Sequence, residues 1–326
     1  MSEALDVVGI GNAIVDVIST EAHEFIDAYG LAKGAMTLID AERAEELYGA
    51  MAPAIETSGG SAANTVAGVA SFGGQVGYIG KVRDDQLGEV FAHDIGALGV
   101  RFEVAPAAAG PPTARCLIIV TPDAARTMNT YLGASTELHP DDIDPDLVGA
   151  AQVLYCEGYI WDVAITKEAI RKAISICSAA GGTISFTLSD SFCVERHHQE
   201  WLDLVDGPID LLFGNEHEIC TLYETGDDFE AAVVAVQGRC QVAALTRSER
   251  GSVLVTPTEI IEVPAAPTAE VVDTTGAGDL YASGFLYGWT RGMDLAQCGR
   301  LGSLAATETI SQFGARPSSS LAHLAQ

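Results

Sequence analysis

Short apolar runs rich in branched residues recur along the chain, separated by stretches whose apolar positions return every three or four residues. The runs predict strands over 6–10, 75–79, 153–156, 183–187, 210–213, 242–246 and 252–255. The longer-period stretches predict helices over 41–51, 62–72, 86–98, 167–179, 216–223, 229–236, 278–290 and 295–312. Runs such as Val153-Leu-Tyr-Cys156 have no polar face, which is what a strand covered on both sides requires. Strands of this kind alternating with helices predict an α/β fold around a mostly parallel sheet.

The rhythm breaks near residue 106. A Pro/Ala/Gly linker from Pro106 to Pro112 leads into two β-like runs, 114–120 and 127–131, around the hairpin signal Thr121-Pro122-Asp123. With 14–19 and 35–39 they predict a small separate sheet. The expected organisation is one large domain over 1–326 with a discontinuous β lid drawn from about 13–41 and 101–131.

Composition narrows the class. Of 326 residues, 48% are hydrophobic and 19% charged, enough to bury a core and to exclude wholesale disorder. Seventeen Lys and Arg against 45 Asp and Glu give a net charge of -28, which repels nucleic acid and anionic membrane. The first twenty residues carry Glu3, Asp6 and Asp16 and no base, the wrong charge for a signal peptide, and no apolar run reaches the ~18 residues of a membrane span. Seven Cys, with no C-x-x-C, fit small core residues in a reduced, cytoplasmic protein. Monomer and homodimer both stay open.

The strongest chemical segment is Asp273-Thr-Thr-Gly276-Ala277-Gly278-Asp279, a tight small-residue turn opening a helix. Unpaired N–H groups and a partial positive charge make such a start an anion site. Asp279 is then either a general base beside a phosphate cradle or an acid placed at the positive helix end. Gly59-Gly60-Ser61-Ala-Ala-Asn64 is either a site for a polar ligand or a tightly packed, capped helix start. Asp16, in the apolar run Ile14-Val-Asp-Val-Ile18, either faces solvent or awaits hydroxyl donors. Asn215-Glu-His-Glu218 follows a strand and offers oxygen ligands for a hydrated Mg²⁺, or a capping box. Gly9-x-Gly11 lacks the third Gly of a dinucleotide site, Gly80-Lys81 belongs to no Walker A loop, and His197-His198 diverge on a helix.

In this order the segments resemble the ribokinase-like (PfkB) carbohydrate kinase family. Asp273 to Asp279 is similar to its C-terminal signature, Gly59 to Asn64 through Gly80-Lys81-Val-Arg-Asp-Asp85-Gln-Leu-Gly88 to its N-terminal one, and Asn215-x-x-Glu218 to its Mg-linked motif. The resemblance implies a three-layer ribokinase-like fold, ATP and Mg²⁺ as cofactors, and K⁺ as a further candidate. It implies Asp279 as the base, with Gly276, Ala277 and Gly278 as the anion hole. It assigns Asp16, Gly59, Gly60 and Asn64 to sugar hydroxyls, Asn215, Thr246 and Gly251 to ATP, and Glu218 to Mg²⁺ through water. The family's ATP-contacting loop begins Thr-x-Gly, whereas Ser248 stands at that Gly here.

Within the family the adenosine kinases are most similar. Asn12 and Ile14 resemble residues flanking their purine, and Tyr159 and Phe192 lie in segments resembling those that supply purine-facing aromatics. Arg126, in Arg126-Thr-Met-Asn, resembles the Arg that approaches substrate and γ-phosphate, a catalytic place. Thr275 departs from the Asn that eukaryotic adenosine kinases tend to have. The expected activity is phosphorylation of a ribonucleoside 5′-hydroxyl, adenosine to AMP. The alternatives are a PfkB-type kinase of a free sugar and a non-catalytic nucleoside-binding protein.

Overall fold

A computed structural model describes residues 4–123, 125–268 and 270–325. Its larger sheet has nine strands, and the order across it is Ile260–Val263, Ser252–Val255, Val242–Thr246, Leu211–Asn215, Thr183–Thr187, Ala151–Glu157, Leu5–Ile10, Val76–Ile79 and Val100–Phe102. Pairing is parallel from Val242–Thr246 onward, and only Ser252–Val255 runs antiparallel, to both of its neighbours. The α/β reading holds.

Alternation within these strands builds two cores. Val8, Ile10, Leu154, Cys156, Ile184 and Phe186 pack on one face against the helix Ala164–Ala179 and Trp201. Val7, Val153, Tyr155, Leu211 and Phe213 pack on the other against Ser61–Ser71 and Ala277–Thr290. Every residue of Leu5–Ile10 is buried, as a central parallel strand requires. All seven Cys are free and buried.

The second sheet has five strands, in the order Met36–Leu38, Arg126–Tyr131, Ala114–Val120, Ile14–Thr20 and Ile55–Gly59. Ile55–Gly59 lies at an edge, where Ile55 is exposed, so its sequence shows no apolar alternation. Arg101 and Phe102, at the start of the span expected to belong to the lid, instead lie in Val100–Phe102, which closes the edge of the larger sheet. One face of the second sheet buries Val15, Val17, Leu117 and Ile119 with Ile26 and Leu47. The other carries, in register across four strands, the row Asp16, Cys116, Thr130, Leu38. That face looks onto the C-terminal ends of the parallel strands, where open α/β sheets bind ligands.

Candidate active site

A cavity of about 700 Å³ lies between the two sheets. Fourteen of the expected site residues line it: Asn12, Ile14, Asp16, Gly60, Asn64, Tyr159, Phe192, Asn215, Glu218, Thr246, Gly276, Ala277, Gly278 and Asp279. Gly59, Gly251 and Arg126 do not. Gly59 acts from behind the wall, because a Cβ there would come within 2.6 Å of the Asp16 carboxylate. Gly251 ends the turn after Val242–Thr246, its carbonyl accepting from Arg247 N. Arg126 Nη1 is bound to Asp273 Oδ2 at 2.5 Å, so in this conformation its charge is already paired.

The floor is the start of helix Ala277–Thr290. Gly276 caps it at φ +78°, where a side chain would be strained and its Cβ would strike Ala315. Ala277 N–H donates to Thr274 O at 3.2 Å. Gly278 and Asp279 then supply the first-turn N–H groups that a helix leaves for an anion. Asp279, partly exposed to the cavity, accepts from Ser61 Oγ at 2.7 Å and Asn64 Nδ2 at 3.0 Å. Burial raises its carboxyl to about 6, against the lowering effect of those two bonds and of Arg316. A base poised just below neutrality is ionised at pH 7 and still able to take a proton.

Asp16 faces the same space from the second sheet, raised by burial to about 6. Behind these residues lies Glu157, 1% exposed, whose carboxylate accepts from Asn12 N and Ala62 N, both at 2.8 Å. Burial pushes it up to about 7. It ties together two of the four places where the chain passes between the sheets, at Asn12 and at Gly60–Ala62.

The side wall is apolar. Ile14, Met36, Leu38, Ile118, Met128 and Phe192 surround a space closed by Tyr159, whose hydroxyl donates to Ser189 O at 3.0 Å. Phe192 is 67% exposed, an aromatic face with no protein partner covering it.

At the far end, Asn215 and Glu218 form the capping box of helix Glu216–Leu222. Glu218 Oε2 accepts from Asn215 N at 2.9 Å and Oε1 from Asn215 Nδ2 at 2.5 Å. Glu218 also lines the cavity. Burial raises its carboxyl to about 7. Among the described residues no three His, Cys, Asp or Glu side chains group to hold a metal. Ser248 adopts φ +52°, the left-handed conformation a glycine would favour.

Ser61, Glu157 and Arg316 take part in the site although the sequence reading assigned none of them a role there. Ser61 could have been found from its place beside Gly60. The other two give no local signal.

Residues 24–322 match the model of the pfkB family carbohydrate kinases. The chain belongs to that family. It is an ATP-dependent kinase with the ribokinase-like α/β fold. The structure of adenosine kinase from Sinorhizobium meliloti superposes with a TM-score of 0.92 at 52% identity, covering 99% of this chain and 98% of that one. A probable sugar kinase protein from Rhizobium etli CFN 42 matches with the same score, identity and coverage. A 5-dehydro-2-deoxygluconokinase of Shouchella clausii is 29% identical over 78% of this chain and 80% of its own length. No helix among the described residues is long and apolar enough to cross a membrane.

Proposed function

We propose that this kinase transfers the γ-phosphoryl group of ATP to the 5′-hydroxyl of a ribonucleoside, adenosine above others, giving AMP. The carrying observation is the cavity's division into a hydroxyl-binding end, with Asp16 and Asn64, and an apolar shelf of Ile14, Leu38, Tyr159 and Phe192. A free sugar leaves that shelf wet. A purine on it would bury ~100 Å² of apolar surface, worth about 2.5 kcal/mol, or roughly 70-fold in affinity.

Asp279 accepts the proton of the attacking hydroxyl while the helix-start N–H groups hold the transferring phosphoryl. Asp16 takes the 2′- and 3′-hydroxyls, and closure of the second sheet excludes water. Glu218 and Asn215 fit Mg²⁺ held through water, since Mg²⁺ keeps most of its shell and takes few carboxylates. When bound, that ion would offset phosphate charge in a cavity whose lining includes many carboxylates and, among Lys and Arg, only Arg196.

A second reading, a sugar kinase, draws support from the Rhizobium etli and Shouchella clausii relatives. Product formation from labelled ATP with adenosine, other nucleosides, ribose, fructose and a keto-deoxy acid separates them. Adenosine should give the highest kcat/KM. A free sugar exceeding it would overturn the nucleoside reading, and no product from any acceptor would leave a binding protein.

A further inference from the structure

Arg316 follows the last long helix, Leu295–Ile310, in a Ser-rich tail. Its Nε–H donates to Asn64 Oδ1 at 2.9 Å, and its Nη1 donates to Ser58 Oγ. The same Asn64 amide donates from Nδ2 to Asp279. An amide between a guanidinium and a carboxylate has one satisfied orientation: only its oxygen can receive the guanidinium N–H, and only its nitrogen can donate to the carboxylate. Arg316 Nη2 is buried without a hydrogen-bond partner. A cation kept in such a place costs free energy, which the neighbouring carboxylates must offset.

We propose that Arg316 is a positioning residue for phosphoryl transfer, orienting Asn64 toward Asp279 and supplying the counter-charge for Asp16 and Asp279. The proposal rests on Asp279 being the base. The titratable groups around Asp279 are Asp16 on the second sheet, Tyr155 and Glu157 on the strand Ala151–Glu157, Tyr159 on the turn that follows, and Arg316. Arg316 is the one cation in that set, and Arg126 is a second cation acting on Asp16 alone. Arg316 favours the ionised form of both carboxyls, and Asp279 in turn pushes Asp16 upward. Without the guanidinium two facing carboxylates would share a poorly solvated space, and one would protonate near neutral pH.

The test is an NMR titration of the Asp279 carboxyl carbon in aspartate-labelled protein, assigned with D279N and repeated in Arg316→Gln and Arg316→Lys. The midpoint should rise by about one pH unit in R316Q, a tenfold gain in proton affinity, and stay near wild type in R316K. In parallel, kcat of R316Q should fall about tenfold at pH 9, where Asp279 is ionised in both proteins and only the lost orientation of Asn64 counts, and about a further twofold at pH 7, with KM for ATP changed less than about twofold. An unshifted midpoint in R316Q with kcat within about twofold of wild type would overturn the proposal. The titration needs no turnover, so a wild type inactive on every acceptor would sink the functional reading and leave this coupling measurable. Should R316Q not fold, R316K decides. Lacking the fork that holds both Ser58 and Asn64, it should lose about tenfold in kcat, and wild-type kcat would refute the positioning role.

Discussion

Replacing Asp279 by Asn separates its two possible roles, because the hydrogen bonds can be kept while the proton acceptor is lost. Asn64 Nδ2 can donate to the new amide oxygen, and the new amide nitrogen can donate to Ser61 Oγ, whose hydroxyl rotates to accept. The packing at the helix start is therefore preserved. Loss of a general base costs on the order of 10²–10⁴ in kcat, or about 3–5 kcal/mol in the barrier. Stability should move the other way. An acid whose folded value lies near 6, above its ordinary 3.8, favours the protonated native state. Its contribution is fully present below the ordinary value and lost as pH rises through about 6. Above that pH the wild type carries a charge cost on the order of 2–3 kcal/mol, which D279N removes. The expected result is kcat down at least 100-fold, nucleoside affinity by calorimetry nearly unchanged, and Tm at pH 8 equal to or above wild type. Wild-type kcat should itself fall about tenfold between pH 7 and pH 5, as Asp279 protonates. More than a tenth of wild-type kcat remaining in D279N would return Asp279 to the role of a helix-start acid.

Glu218→Gln should raise the Mg²⁺ concentration for half-maximal rate severalfold and leave nucleoside affinity alone, since one amide oxygen still caps Asn215; an unchanged Mg²⁺ titration would confine Glu218 to capping. Adenosine should exceed 2′-deoxyadenosine in kcat/KM by far more than the roughly fivefold worth of one exposed hydrogen bond, and Asp16→Asn should shrink that gap. A gap of the same size in both proteins would take the ribose away from Asp16. Nucleoside should slow hydrogen exchange in Ala114–Val120 much more than in Ala151–Glu157. Equal protection of both strands would mean that the second sheet does not close.

The sequence reveals the parts of the site whose chemistry is local. Gly276-Ala-Gly278 opens a helix because small residues permit the turn, and Asn215 with Glu218 caps one through adjacent backbone. Asp16 was ambiguous because alternation alone cannot say whether a polar face meets water or a cavity. Pairing across Ala114–Val120 resolves it. Glu157 was illegible for a different reason: the N–H groups it serves lie 145 and 95 residues away in sequence, and only the packed sheet brings them together. Arg316 is 252 residues from the Asn64 it orients. Arg126 illustrates the opposite case, a residue placed by its motif whose side chain the fold hands to Asp273.

Glu157 also governs how the second sheet can move. Its one carboxylate satisfies the N–H of Asn12 on one passage between the sheets and that of Ala62 on another. Lifting either passage alone would strand a buried donor and leave an acceptor oxygen empty, at about 1–3 kcal/mol for each orphaned group. Keeping both bonded means that both passages travel with the same pivot. The sheet should then swing as a stiff plate, all five strands together. With two of its four crossings hung from one post, it moves like a door on that post, and an enzyme so built samples open and shut with few half-peeled forms between.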